Sequence, residues 1–302
     1  MTQSVKQAAG GTLPAKKHSE KWNRARRELL RHWQLYLVML LPLVLIGIFS
    51  YGPMLGLQIA FKDFTAAKGI WGSPWVGMKH FKNFVTSYQF SRLISNTLGI
   101  SVYTLVAGFP IPILLALMVN ECRNERFKKA VQMITYAPHF ISTVVMVSIV
   151  LMFLAPRGGM INNIIALFGG TRTDFIAKPE YFKSIYVWSG IWQSMGYNSI
   201  IYIAALAGID PSLYEAATVD GASKMQRIIN IDLPGIMPTI IIQLIMQCGR
   251  LMNVGYEKVL LMQNSLNMQS SDIISTYVYR MGLENAQYSC SGRPEAVRSS
   301  PQ

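Results

Sequence analysis

Five stretches of this chain stay apolar long enough to decide its solvent: roughly Leu35 to Pro53, Thr97 to Met118, Ile134 to Leu154, Ile185 to Ala207 and Ile236 to Leu261. A helix needs about 20 apolar residues to cross the hydrocarbon of a bilayer, so each stretch is consistent with one crossing. Of the 302 residues, 51% are hydrophobic and only 14% charged. That composition excludes an ordinary soluble domain.

The formal charge is +13, and its placement says more than its size. Lys6, Lys16, Lys17, Lys21, Arg24, Arg26, Arg27 and Arg31 precede the first apolar stretch, against the acids Glu20 and Glu28. The positive-inside rule puts such a tail in the cytoplasm. The connector Asn120 to Lys129, with Arg123, Arg126, Lys128 and Lys129, and the connector Asp210 to Pro234 fall on the same side. No interleaved aromatics or recognition motif accompany the basic residues, so nucleic acid is not an expected partner. A signal peptide is rejected because the basic region is too long, the apolar run outlasts an h-region, and no small-residue cleavage pattern follows. The outer connector "IWGSPWVGMKHFKNFV" mixes Trp71, Trp75, Phe81 and Phe84 with Lys79 and Lys82, residue types that settle among lipid headgroups.

Reactive chemistry is sparse. Cys122, Cys248 and Cys290 show no C-x-x-C spacing, and His18, His32, His80 and His139 are dispersed, so neither a metal site nor a disulfide framework is expected, and no residue is singled out as catalytic. There is no G-x-x-x-x-G-K-[ST] segment, hence no nucleotide-binding loop and no cofactor of the chain's own.

The stretch "EAATVDGASKMQRIINIDLPG", Glu215 to Gly235, is kept in water between two apolar runs. Asp210-Pro211 or Ser212 starts a helix there, and Ser212 with Glu215 fits a capping box. Gly221 stops that helix in the left-handed conformation. A second short helix is predicted from Ala222 to about Ile231, with Leu233-Pro234 redirecting the chain into the next crossing. Ala216 and Ala217 leave one face with little bulk.

The spacing Glu215-Ala216-Ala217, Gly221, Ile231, Leu233-Pro234 resembles the EAA motif of permease subunits in binding-protein-dependent ABC importers. "WVGMKHF", "YAPHFIS" and "STYVYRMGL" resemble the LplB-type polysaccharide and oligosaccharide permeases of the maltose-type group, and the likeness runs from about Leu35 to Ser289. It implies an all-α integral membrane protein, a polytopic helical bundle of the type I (MetI-like) importer permease kind, with five crossings visible and an expected sixth missing. The parts would be a basic cytoplasmic tail over 1–32, a transmembrane permease domain over 33–289 containing the coupling loop 210–234, and an atypical polar tail over 290–302. By resemblance Glu215, Ala216, Ala217, Asp220 and Gly221 contact an ATPase subunit, while Ile231, Leu233 and Pro234 carry the loop into the membrane. Implied partners are an ABC ATPase dimer, a second permease forming a heterodimer, an extracellular solute-binding protein and membrane lipid. The implied location is a bacterial cell membrane.

Polar residues inside membrane helices tend to face a cavity or a partner. Matching outward from the EAA motif makes Trp192, Gln193, Tyr197, Gln247, Arg250 and Asn253 the candidate solute path, with aromatic faces for sugar C–H surfaces and amides or Arg for hydroxyls. Aromatics and amides also fill and glue helix interfaces. Arg250 stands out because a charge at a helix centre costs about 2.5–3.5 kcal/mol on insertion scales; Glu257 lies seven residues on along the same expected helix. An acid on another subunit or a wet path that favours acidic sugars would each account for it. A secondary transporter would show repeats, and a membrane-embedded glycosyl or lipid transferase would need grouped carboxylates or a histidine; neither signal is found. The departure from the family pattern is Cys290 to Gln302, too short and polar to form the last crossing, as a truncation or frame shift would produce.

Overall fold

The computed structural model describes residues 31–65 and 67–284. The N-terminal basic tail up to residue 30 and the whole expected C-terminal departure lie outside the described residues. Among the described residues the regular elements are helical, apart from one isolated bridge between Lys62 and Trp75. Helices are what lipid demands, because a backbone without water must satisfy its N–H and C=O groups within the segment.

The chain divides into two compact units at Gly77. In the first, α1 (Trp33–Phe61) runs for 29 residues with nothing in its apolar window buried. A helix hydrophobic all round is suited to a membrane rather than to a soluble surface. At its end Phe61 stacks on Trp75 with ring centres 5.8 Å apart, and Lys62 Nζ donates to the Ile70 carbonyl at 2.8 Å.

The second unit contains α2 (Tyr88–Asn120), α3 (Glu125–Phe140), α4 (Thr143–Leu154), α5 (Pro179–Ala207), α6 (Pro211–Val219), α7 (Lys224–Gly249), α8 (Tyr256–Met262), α9 (Met268–Ser271) and α10 (Ile274–Tyr279). By length and composition α1, α2 and α7 can each cross a membrane, and the bent pairs α3–α4 and α5–α6 raise the number to five if each is one span.

Two of the apolar runs depart from the single helices expected of them. The run Ile134 to Leu154 bends by 104° between α3 and α4. Pro138 sits in a 3-10 turn, Ile141 is extended, and Ser142 Oγ starts α4 by accepting the Val145 N–H at 3.4 Å, a break built from a missing donor and a new cap. The run Ile236 to Leu261 stops at Gly249. Arg250 therefore caps the end of α7, Asn253 lies in the following turn, and Glu257 is in the first turn of α8. The expectation that Arg250 and Glu257 share one helical face is corrected: the helix between them does not exist.

Packing gathers toward opposite ends of α2 and α5. One core holds Ile100, Met146, Val147, Phe182, Val259 and Ile273; the other holds Ile113, Ala116, Leu117, Tyr202, Leu206 and Ile236. Between Ile100 and Ile113 on α2, and between Phe182 and Tyr202 on α5, the packing opens into a cavity. Beyond the first core, buried Asp272 accepts from Arg280 Nη2 at 2.9 Å and from Thr276 Oγ1 at 3.1 Å, and its carbonyl accepts from Asn96 Nδ2 at 3.1 Å. These bonds tie the start of α10 to α2.

Small residues set the closest approach. A Cβ on Gly196 of α5 would lie 2.2 Å from the Thr135 carbonyl oxygen of α3, so the two backbones touch there, as small residues permit in membrane bundles. Gly196→Val is expected to cost about 1–3 kcal/mol through overpacking and to lower the melting temperature of the detergent-solubilised protein. Gly249→Ala, where a Cβ meets nothing within 4 Å, serves as the tolerated control.

Candidate coupling loop and solute cavity

The loop begins where α5 ends. Gly208 caps α5, and Asp210 Oδ1 accepts the Ser212 N–H at 2.9 Å with Pro211 in the first turn of α6. That bond holds the exposed Asp210 carboxyl below its usual range. Asp210 is thus the N-cap, and the chain turns by 72° between α5 and α6. The capping box expected at Ser212 and Glu215 is corrected. It forms instead at Ser223 and Gln226, where Gln226 Oε1 accepts the Ser223 N–H at 2.7 Å and Ser223 Oγ accepts the Gln226 N–H at 3.4 Å.

Gly221 ends α6 as expected. Its φ is +71°, its N–H donates to the Thr218 carbonyl at 3.2 Å, and the Ala222 N–H donates to the Ala217 carbonyl at 2.9 Å. This pair of bonds is a Schellman stop, which needs a left-handed residue between its two donors. Glu215, Ala216 and Asp220 are exposed and Ala217 is half-buried.

The second arm differs from expectation. Leu233-Pro234 does not turn the chain: helix is continuous from Lys224 to Gly249 through both residues. The ring of Pro234 removes an N–H that an α-helix would use. A π turn over Ile228–Asp232 absorbs the defect, with the Leu233 N–H donating to the Ile228 carbonyl, as π-bulges do inside longer helices. The loop's second arm is therefore the beginning of α7 itself.

Three contacts bind the arms together and to the end of α2. Tyr214 of α6 donates its hydroxyl to Oδ1 of fully buried Asp232 in the π turn at 2.5 Å. Arg227 Nη2 donates to Glu121 Oε2, just past α2, at 3.3 Å. Gly235 lets Ile209 approach so closely that a Cβ there would meet the isoleucine's Cδ1 at 2.6 Å. Ile231 and Leu233 are half-buried on this arm, and Pro234 is exposed.

The cavity between the two cores has a volume of about 530 Å³ and is walled by α2, α5, α7 and Lys258 of α8. A smaller cavity of about 190 Å³ shares Thr104, Tyr186, Gln247 and Arg250 with it. Of the sequence candidates, Gln193, Gln247 and Arg250 line the larger cavity, and Gln247, Arg250 and Asn253 the smaller. Trp192 and Tyr197 line neither. Tyr197 stacks on His139 at 3.8 Å, and Trp192 is exposed on α5. Gln193 also glues helices, since its Nε2 donates to the Ile141 carbonyl at 2.9 Å.

Sequence reasoning passed over Lys258 and Tyr186. Lys258 Nζ donates to the Tyr186 carbonyl at 2.7 Å and lies 4.5 Å from the centre of the Tyr186 ring. A lysine inside an apparent crossing was a signal of the same kind as Arg250.

Comparison with known proteins places this geometry. The family model described as "Binding-protein-dependent transport system inner membrane component" matches residues 108–290, more than half of the chain. The polygalacturonan/rhamnogalacturonan transport system permease protein YteP of Bacillus subtilis (strain 168) is 42% identical over 272 residues, covering 90% of this chain and 85% of its own. Protein LplB of the same organism is 41% identical over 263 residues, covering 87% and 83%. Among solved structures, a bacterial ABC transporter involved in the import of the acidic polysaccharide alginate matches with a TM-score of 0.82 and 43% identity, over 88% of this chain and 90% of that one. With a family match across more than half its length and relatives above 40% identity, this chain belongs to the inner membrane components of binding-protein-dependent transport systems.

Proposed function

We propose that the chain is a permease subunit of an ABC importer that passes an oligosaccharide across a bacterial cell membrane, its N-terminus in the cytoplasm. The observation that carries this reading is α7. It starts in the exposed loop and ends at the cavity wall with Gln243, Gln247 and Arg250, so one rod of 26 residues, about 40 Å long, joins a docking element to a solute site.

In this reading ATP is hydrolysed by a partner ATPase dimer, and this chain makes and breaks no covalent bonds. Glu215, Ala216, Ala217, Asp220 and Gly221 form the face that the ATPase holds; Ile231, Leu233 and Pro234 carry the load into α7. The Tyr214–Asp232 and Arg227–Glu121 contacts make α6, α7 and the end of α2 move as one body. Closure of the ATPase dimer then rocks α7 and reshapes the cavity. A second permease completes the path. An extracellular binding protein delivers the solute, in keeping with a related transporter that was solved with its alginate pentasaccharide-bound periplasmic protein. Gln193, Gln247, Arg250 and Asn253 are the path residues within this chain; Trp192 and Tyr197 reach the path only where the second permease closes it. Five crossings, with α3–α4 as a bent span and α5 crossing alone while α6 stays in the inner loop, fit the alternation of basic inner connectors.

The test is reconstitution with the partner subunits in liposomes, reading solute uptake and ATP hydrolysis together. Gly221→Val places a β-branched residue in the left-handed region, at a cost of about 1–2 kcal/mol. It is expected to lower uptake per ATP about tenfold or to prevent ATPase docking; intact uptake and docking would remove the lever reading. Tyr214→Phe leaves the buried Asp232 carboxylate without its donor, a loss of about 1–3 kcal/mol. The expected result is more ATP consumed per solute imported at unchanged membrane insertion, and an unchanged ratio would take this contact out of the coupling path.

A further inference from the structure

We infer that the cavity between the two cores is an anion site, and that Arg250 and Lys258 make it select oligosaccharides that carry carboxylates over neutral ones. The inference rests on the oligosaccharide reading above and names the chemistry of the solute at that site.

The walls of both cavities contain hydroxyls, amides and these two cations, and no Asp or Glu. Among the described residues neither cation is within 4 Å of a carboxylate. The fold fixes the backbone of Arg250, whose side chain is exposed, and the ammonium of Lys258, which is half-buried. Arg250 caps α7, and its N–H donates to the Gln247 carbonyl at 3.0 Å. Lys258 Nζ is fastened to the Tyr186 carbonyl and ring, and Gly190 supplies the room, since a Cβ there would approach Nζ to 3.1 Å. A cation partly withdrawn from water, as half-buried Lys258 is, is costly unless an opposite charge answers it; exposed Arg250 adds a second uncompensated positive charge to the same wall. A neutral sugar leaves that cost unanswered, whereas a uronate carboxylate answers it, in bidentate fashion at the guanidinium. The amides of Gln193, Asn198, Gln243 and Gln247 are of the type that binds the remaining hydroxyls, and a volume of about 530 Å³ is in the range of small-molecule sites.

The experiment uses the whole importer in nanodiscs, without nucleotide and without the binding protein, so that the permeases alone choose. The probes are a galacturonate trisaccharide and the neutral galactose trisaccharide of the same linkage. The wild-type complex is expected to bind the galacturonate at least about tenfold more tightly. Arg250→Gln and Lys258→Gln should each reduce that preference, their combination should abolish it, and Arg250→Lys should keep most of it. Equal affinity of the wild type for both sugars, or equal weakening of both in the glutamine variants, overturns the inference. So does an absence of galacturonate binding while the complete system, given ATP and binding protein, still imports sugar. If the complete system imports no sugar of either kind, the oligosaccharide reading has failed instead.

Discussion

The way Pro234 is accommodated decides what the rest of the molecule can do. A proline without an N–H ordinarily ends or kinks a helix, and an α7 broken at that point would separate the exposed loop from the cavity. The π turn over Ile228–Asp232 shifts the hydrogen-bond register just before the proline, and the helix continues to Gly249. Asp232, held within that turn, receives the hydroxyl of Tyr214. The irregularity that keeps α7 whole is thus also where the other arm of the loop is fastened.

The cavity follows from the same economy of packing. Each core consumes the large apolar side chains at one end of α2 and α5. The middle of these helices carries Thr104, Gly108, Gly190, Gln193 and Ser194 instead, too small or too polar to close the gap. α7 and α8 complete the wall because the chain breaks at Arg250 to Gly255, which turns Arg250 and Lys258 toward one space. A straight helix through Leu261 would have kept these two side chains, eight residues apart, on one face but separated them by about 12 Å along the axis.

Much of the loop was legible because its signals are local. Asp210-Pro211 starts a helix and Gly221 stops one through bonds that span at most five residues, and the motif spacing added the family. The capping box was misplaced because the S-x-x-(E/Q) pattern occurs twice, at Ser212 and at Ser223, near the start of each arm. Asp210 caps α6 two residues ahead of Ser212, so no box forms there, while Ser223 caps the start of α7 independently. The cavity lining was harder to read. An aromatic that lines a cavity and one that lies outside it look alike along a helix, so exposed Trp192 and Tyr197 could not be told from the cavity-lining Gln193 and Gln247 without knowing what packs opposite them.

By itself the sequence determined that this is an all-α membrane protein, where its basic connectors lie, and that an exposed helix pair bends at Gly221. Each depends on hydrophobic run length, charge or a backbone conformation encoded within a few residues. Only the tertiary structure decided that α7 passes Pro234 unbroken, that the last apolar run divides at Arg250, and that Lys258 joins Arg250 at one cavity. Those outcomes depend on contacts between residues far apart in the chain: Tyr214 with Asp232, Glu121 with Arg227, and Tyr186 with Lys258.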